Sequence, residues 1–257
     1  MDYGICLLSS LPMRRDFSET SEMVNQLLFG DVVKVLGDNP KWLFVETLDC
    51  GYKGWIDKKT IHFIEEAEAL KIVSEAVCFV EKQIINLRDL STQTVFPILK
   101  GSRFPVCQNT ITLGDFSFSI LEPEGIQRIA TDYDFKSLAL SYLNTPYLWG
   151  GRSPFGLDCS GFVQVLYQTV GISLERDAGA QFLQGASVDF IEEARAGDLA
   201  FFDNEEGRII HVGMLLSAKQ IIHASGKVKI DRFDHYGIFE ETQQNYSHRL
   251  RMIKRYM

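Results

Sequence analysis

The sequence predicts an α+β domain at the C-terminal end, preceded by two small all-β barrels. Three observations carry that expectation. Residues 1–64 hold short β-type runs (I-C-L-L, D-V-V-K-V-L, W-L-F-V-E-T, Y-K-G-W-I-D) broken by Gly-Asp-Asn-Pro and Asp-Cys-Gly. Residues 65–125 continue in β style without a clear repeat. From residue 126 onward, helical spacing gives way to a run of short apolar strands, the order of a helical lobe followed by a meandering antiparallel sheet. At 257 residues the chain has room for two or three small domains, and 46% hydrophobic with 23% charged residues is ordinary for a soluble globular protein.

In the first domain, 1–64, Trp42 and Trp55 read as core packing of a small barrel, with G-Y-K-G-W-I as a closing strand. In the second, 65–125, V-S-E-A-V-C-F-V, Q-I-I-N-L and T-V-F-P-I-L-K-G-S-R-F-P-V read as strands. T-I-T-L-G-D-F-S-F-S-I reads as a hairpin turning at Gly114-Asp115. Cys6, Cys50, Cys78 and Cys107 fall in or beside these strands and read as inert packing. Pro123 and Gly125 mark the boundary to the third domain, 126–257, which opens with an expected helix over Tyr133–Leu143, flanked by Asp132, Asp134 and Pro146.

The stretch from Thr145 to Val170 organises the third domain. Pro146, Gly150, Gly151, Pro154 and Gly156 crowd its first half, which is turn chemistry, whereas Phe162, Val163, Val165, Leu166, Tyr167 and Val170 give its second half an amphipathic helix pattern. Cys159 therefore lies where loop becomes helix, with Asp158 and Ser160 as candidate caps. Unpaired N–H groups and the positive end of the helix dipole favour thiolate there, as a nucleophile requires. A buried, inert cysteine is the plain alternative. Two histidines downstream weigh against it. His211 opens H-V-G-M-L-L-S and His223 lies in Q-I-I-H-A-S, with Ser217 to Gln220 as a turn between, so a hairpin can bring both imidazoles to one face beside the cysteine. Cysteine, base histidine and a group orienting that histidine form the triad of thiol hydrolases. Strands are expected near Leu199–Asp203, His211–Ser217, Gln220–Ala224 and Val228–Phe233. His235 and His248 read as members of a polar surface tail, and His62 as a residue of the first domain, all three uninvolved.

Residues 126 to 257 resemble the NlpC/P60 cysteine peptidases, on P-Y-L-W-G-G, L-D-C-S-G-F-V, R-D-A-G-A-Q, A-G-D-L-A-F-F and H-V-G-M followed by I-H-A-S. The N-terminal part resembles bacterial SH3 (SH3b) domains, with R-R-D-F-S-E-T-S-E-M-V-N-Q-L-L-F-G-D similar to a first SH3b repeat. The order of parts is similar to SH3b-bearing γ-D-glutamyl-L-diamino acid endopeptidases. The resemblance implies a papain-like catalytic core and hydrolysis of the γ-D-glutamyl–diamino acid bond in murein peptides with a free N-terminal L-Ala, as in peptidoglycan recycling. It implies Cys159 as nucleophile, His211 as base, His223 as the orienting group and the Tyr147 hydroxyl as an oxyanion donor beside the Cys159 N–H. It further implies that Trp149 walls the cleft, that Asp158 and Ser160 meet the D-glutamate, and that Asp177 meets the free amine. Glu22 and Tyr52 are the candidates in the first SH3b domain for closing over that amine. Ala178, where the family carries serine, is a departure that removes one hydrogen bond.

No cofactor or metal is expected: a zinc site from Cys159, His211 and His223 would lack the close paired spacing of structural zinc motifs. A net charge of −8 without a basic run argues against nucleic acid and anionic membrane as partners. A small peptide acted on by a monomer is the expectation. The N-terminus lacks a basic n-region and a sufficient apolar run, and five cysteines at irregular spacing suggest reduced thiols, so a cytoplasmic protein is expected. An exported hydrolase acting on intact wall, and a wall-binding protein with an inactive peptidase half, are the alternatives.

Overall fold

The computed structural model describes residues 2–105, 109–130 and 134–256. The chain divides into two compact units, Met1–Thr131 with Trp149–Pro154, and Asp132–Leu148 with Phe155–Met257. Cys107, Asp132 and Tyr133 lie outside the described residues.

The first unit begins with seven short strands: β1 (Tyr3–Ile5), β2 (Ser10–Arg14), β3 (Met23–Leu28), β4 (Val32–Asp38), β5 (Trp42–Thr47), β6 (Lys53–Asp57) and β7 (His62–Ile64). They form one antiparallel sheet in the order β3-β2-β6-β5-β4-β1-β7. Alternation along β5 buries Leu43 and Val45 against Cys6, Leu11, Met13, Leu27, Val33 and Ile56, the expected inward face of a small barrel. A helix, α1 (Glu66–Glu75), follows where the sequence pattern predicted only β structure. Glu, Ala, Leu and Lys fill most of its positions and are strong helix formers, and Ala69 and Ile72 supply the side it buries.

Among the described residues seven further strands follow: β8 (Cys78–Val80), β9 (Ile84–Asp89), β10 (Val95–Leu99), β11 (Arg103–Phe104), β12 (Thr110–Leu113), β13 (Phe116–Ile120) and β14 (Ile126–Arg128). They lie in a four-stranded sheet, β10-β9-β13-β12, and a three-stranded one, β11-β8-β14. β12 and β13 form the expected hairpin, and Gly114 at its turn takes the positive φ that the tight turn requires. The two β regions share a core. Tyr3, Ile5 and Phe29 of the first pack with Ile72, Val80, Ile98 and Phe118, and the Phe29 ring lies edge-on to Phe104 and Phe118. That shared burial is why they form one unit.

The segment Trp149–Pro154, with its short strand β15 (Arg152–Ser153), belongs to this unit although in sequence it lies within Thr145–Val170, between two segments of the second unit. Arg152 is almost wholly buried, donating from Nη1 to the Gln26 carbonyl and to Asp31 Oδ2 at 3.0 Å. Gly150 takes a positive φ beside Met23, where a Cβ would stand 2.4 Å from the Met23 carbonyl oxygen.

The second unit holds three helices, α2 (Phe135–Leu140), α3 (Cys159–Gln168) and α4 (Ala178–Phe182), with the short strand β16 (Gly156–Leu157) leading into α3. The pattern of α3 suggested one apolar face, yet every residue of it is buried, including Gln164 and Gln168. It is packed by α2 and α4 and by two strands of the sheet, and Gln164 tolerates burial by donating to the Leu174 carbonyl at 2.9 Å. The sheet comprises β17 (Ala186–Val188), β18 (Leu199–Asp203), β19 (Ile209–Ser217), β20 (Gln220–Ser225), β21 (Lys227–Asp234), β22 (Gly237–Glu240) and β23 (Asn245–Arg255). Its order is β17-β23-β18-β19-β20-β21-β22, and a further β22–β23 pairing closes β18 to β23 into a barrel around Phe202, Leu215, Phe233 and Ile238. The expected surface tail is therefore strand, and closure brings it over the histidines.

Candidate active site

Cys159 is the first residue of α3 because Asp158 caps the helix. Its backbone is extended and its carboxylate accepts the Gly161 N–H at 2.7 Å. That carboxylate also accepts the Ser160 hydroxyl at 3.2 Å and two bonds from Arg176, Nη1 to Oδ1 at 2.9 Å and Nη2 to Oδ2 at 2.6 Å. Arg176 Nη1 further donates to Ser160 Oγ at 2.9 Å. With 1% of the Arg176 side chain and 7% of Asp158 exposed, this is a buried bidentate pair, which holds the turn at Cys159 by charge-assisted bonds. From α4, Gln181 Nε2 donates to the Ser160 carbonyl at 3.1 Å. The sequence reading passed over Arg176. The signal was an arginine beside a motif acid, but its partner lies eighteen residues upstream.

On the sheet, His211 stands opposite Phe202 in β18. The next registered pair is Ile209 with Asp203, so Ile210 is an extra residue in a bulge that re-aims the chain beside the base. The backbone N–H of Val212, next to His211 in β19, is among the groups that pull the Cys159 thiol down. His211 Nε2 lies 2.8 Å from His223 Nδ1, both rings buried, and His223 Nε2 lies 2.9 Å from Asp231 Oδ2. Gly213 allows this approach: a Cβ there would meet the His223 Cβ at 2.8 Å. The two histidine nitrogens point at each other, and the outer nitrogen of His223 points at a carboxylate. That is a relay rather than three ligands converging on a zinc ion.

His248, read from the sequence as uninvolved, stacks on His211 with centroids 4.2 Å apart and planes at 29°. Pairing of β23 with β22 and β18 carries it there. Asp231 is a residue that sequence reasoning missed. It stands in β21, two positions from the Lys229 that faces His223, and so shares its face; Lys229 Nζ lies 3.0 Å from Asp231 Oδ2 and 3.2 Å from Glu240 Oε1.

The electrostatics overturn one expectation. Burial first, and the Asp158 charge second, push the Cys159 thiol up to about 12, against the lowering pull of the Val212 and Ser160 N–H groups and Arg176. The helix start alone does not make a thiolate, because a site this closed to water penalises the anion more than two amides favour it. Burial, then His223 and His248, hold His211 well below the usual imidazole value, and burial brings His248 down to about 4. At neutral pH, both the thiol and its base are uncharged. Tyr147, half-buried and bridged to Leu157, is raised by burial and then by Cys159 and Asp158, so its phenol remains a proton donor beside the sulfur.

The remaining candidates fall into two places. Asp177, at the head of α4 in the second unit, is exposed and makes no side-chain cap. In the first unit, Trp149 Nε1 donates to Glu22 Oε1 at 2.6 Å, and Glu22 Oε2 pairs with Arg15 at 2.7 Å. Tyr52 packs partly buried on the barrel core.

Residues 144–247 match the NlpC/P60 family profile, and residues 13–61 match a bacterial dipeptidyl-peptidase SH3 domain. A Bacillus subtilis protein named gamma-D-glutamyl-L-lysine dipeptidyl-peptidase is 32% identical over 219 residues, covering 77% of this chain and 71% of its own. A Bacillus cereus protein of the same name is 27% identical over 257 residues, covering 87% of this chain and 74% of its own. The fold matches the crystal structure of an NlpC/P60 family protein from Bacillus cereus with a TM-score of 0.85 at 21% identity, over 99% of both chains. A capped nucleophile turn beside a buried histidine relay, on a chain with these relatives, places the protein in the NlpC/P60 family of cysteine peptidases, with a bacterial SH3 domain at its N-terminal side.

Proposed function

We propose that this peptidase hydrolyses the γ-D-glutamyl–diamino acid bond of murein peptides that carry a free N-terminal L-Ala, releasing the L-Ala-D-Glu dipeptide during turnover of wall fragments. The observation that carries it is the Cys159–His211–His223 arrangement on a chain whose relatives are named as dipeptidyl-peptidases for γ-D-glutamyl-L-lysine. An enzyme that removes dipeptides must count two residues from a free amine. The exposed carboxylate of Asp177 is the anion that would meet that ammonium. Ser160 would meet the D-glutamyl residue beside Asp158, the cap of α3.

Because thiol and imidazole both rest uncharged, the chemistry is general-base catalysis. As Sγ attacks the γ-carbonyl carbon, its proton passes to His211 Nδ1, since Nε2 faces His223. The carbonyl π pair moves onto oxygen, where the Cys159 N–H and the Tyr147 hydroxyl hold the oxyanion. Collapse re-forms the carbonyl and breaks the C–N bond, and the His211 proton goes to the departing amine. Water then attacks the thioester, giving its proton to His211. Collapse expels the sulfur, which takes that proton back, and frees the γ-carboxyl.

Mass-spectrometric turnover of L-Ala-γ-D-Glu-L-Lys, its diaminopimelate analogue and their N-acetylated forms tests this reading. Cleavage of the free peptides alone is expected. Equal cleavage of the acetylated forms would replace fragment turnover with lysis of intact wall, and cleavage of none would leave the peptidase with another bond.

A further inference from the structure

We propose that Asp231 is a positioning residue for the base: through His223 it selects the one tautomer of His211 that can take the proton of Cys159. This rests on the hydrolytic reading above only in its kinetic arm.

The need for such a residue follows from the His211–His223 contact itself. One proton lies between His211 Nε2 and His223 Nδ1, 2.8 Å apart, and either ring could own it. If His223 owned it, neutral His211 would carry its only proton on Nδ1, the ring nitrogen that does not face His223, and could not accept another there. If His211 owns it, Nδ1 presents a lone pair. Nothing in the pair of rings chooses between these states, since both rings are buried, with His211 at 5% exposure and His223 at 0%.

Asp231 breaks the tie from the far side. A carboxylate can only accept, so with Oδ2 at 2.9 Å it requires the His223 proton on Nε2. Neutral His223 then has a bare Nδ1, His211 must donate from Nε2, and His211 Nδ1 is left free to act as base. The selection depends on Asp231 remaining ionised. Burial works against that, but hydrogen bonds from His223 and Lys229 outweigh it and hold the carboxyl below its usual value. Lys229 is itself kept in place by Glu240. During attack, the new imidazolium charge on His211 is shared along the relay toward this carboxylate. The same order of parts, base then orienting group, governs serine triads, in which the wrong tautomer of the base is inactive. Here the acid acts one ring further out.

The test uses the full chain with 15N-labelled histidine and needs no substrate for its first arm. In the wild type at pH 7.5, His211 and His223 are both expected as Nε2–H tautomers. Asp231→Ala should leave His223 a mixture of tautomers and broaden or split His211. Unchanged tautomers in Asp231→Ala would overturn the proposal. The second arm measures hydrolysis of the free tripeptide. Asp231→Asn should lower kcat by ~10- to 100-fold, part of the 10²–10⁴ that a positioned base contributes, with KM unchanged, and Asp231→Glu should recover most of it. An Asp231→Asn enzyme with wild-type kcat, or one whose loss is all in KM, would also overturn it. A wild-type protein that cleaves no tripeptide would count against the substrate reading, and the tautomers alone would then decide the role of Asp231.

Discussion

Cys6 in the barrel of the first unit and Cys159 at the head of α3 are both buried, and burial pushes both thiols up to about 12. Their neighbours separate them. Cys6 donates to the Leu8 carbonyl beside an apolar cluster, and the charge that acts on it, Asp31, only raises it further; no histidine is among its neighbours there. Cys159 feels the lowering pull of the Val212 N–H, next to His211 in β19, and acts in turn on the Tyr147 phenol. The field at the sulfur does not distinguish an inert thiol from a nucleophile. The presence of a proton acceptor does, together with donors waiting for the oxyanion.

The largest effect that would break this contrast is also the simplest. Cys159→Ala should reduce peptide hydrolysis to background, a loss of roughly 10⁴-fold or more by analogy with removal of other nucleophiles. Cys6→Ala should keep kcat and cost about 1 kcal/mol of stability in a denaturant titration, the usual scale of a core change. Next comes the frame around the nucleophile. Arg176→Leu leaves the Asp158 carboxylate buried without its bidentate partner, and about 3–5 kcal/mol should be lost from unfolding free energy. Tyr147→Phe should leave folding intact and lower kcat by about 10²–10³, the scale of one oxyanion donor.

A smaller effect sharpens the other side of the contrast, the uncharged base. His211 and His248 are held neutral in the folded protein, whereas the unfolded chain takes up their protons near 6.5. Protons therefore favour unfolding: stability is full above pH 6.5 and falls as the pH drops toward 4. His248→Phe, which keeps a ring over His211, should flatten that decline by on the order of 1 kcal/mol between pH 7 and 5, after allowance for its partial solvent exposure. Melting temperatures across that range measure it.

The parts of this site that were legible in the sequence are those set by local chemistry. Glycine and proline before an apolar run, with Asp158 in the capping position, located the turn and Cys159 at its helix start. Alternation around a two-residue turn located the His211 and His223 strands. The α+β class and the small β barrel follow from the same local signals, whereas the SH3 assignment rests on resemblance. What was not legible depends on distant register. Asp231 reaches His223 only through the β20–β21 pairing, and His248 reaches His211 only because the barrel closes through β23. Arg176 meets Asp158 across a loop. The protonation state of Cys159 was misjudged for a related reason: helix-dipole chemistry can be read from sequence, but burial that outweighs it cannot. In the first unit, residues 65–125 read as β in style throughout, and α1 forms within them because Glu, Ala, Leu and Lys fill most of its positions.

The most direct measurement is an ultraviolet titration of thiolate absorbance, wild type minus Cys159→Ala, from pH 5 to 11. A Cys159 that depends on its base at the moment of attack should show no thiolate at pH 7, with absorbance rising only toward the alkaline limit. A full thiolate signal at pH 7 would contradict this, and would mean that Cys159 and His211 rest as an ion pair before any substrate arrives.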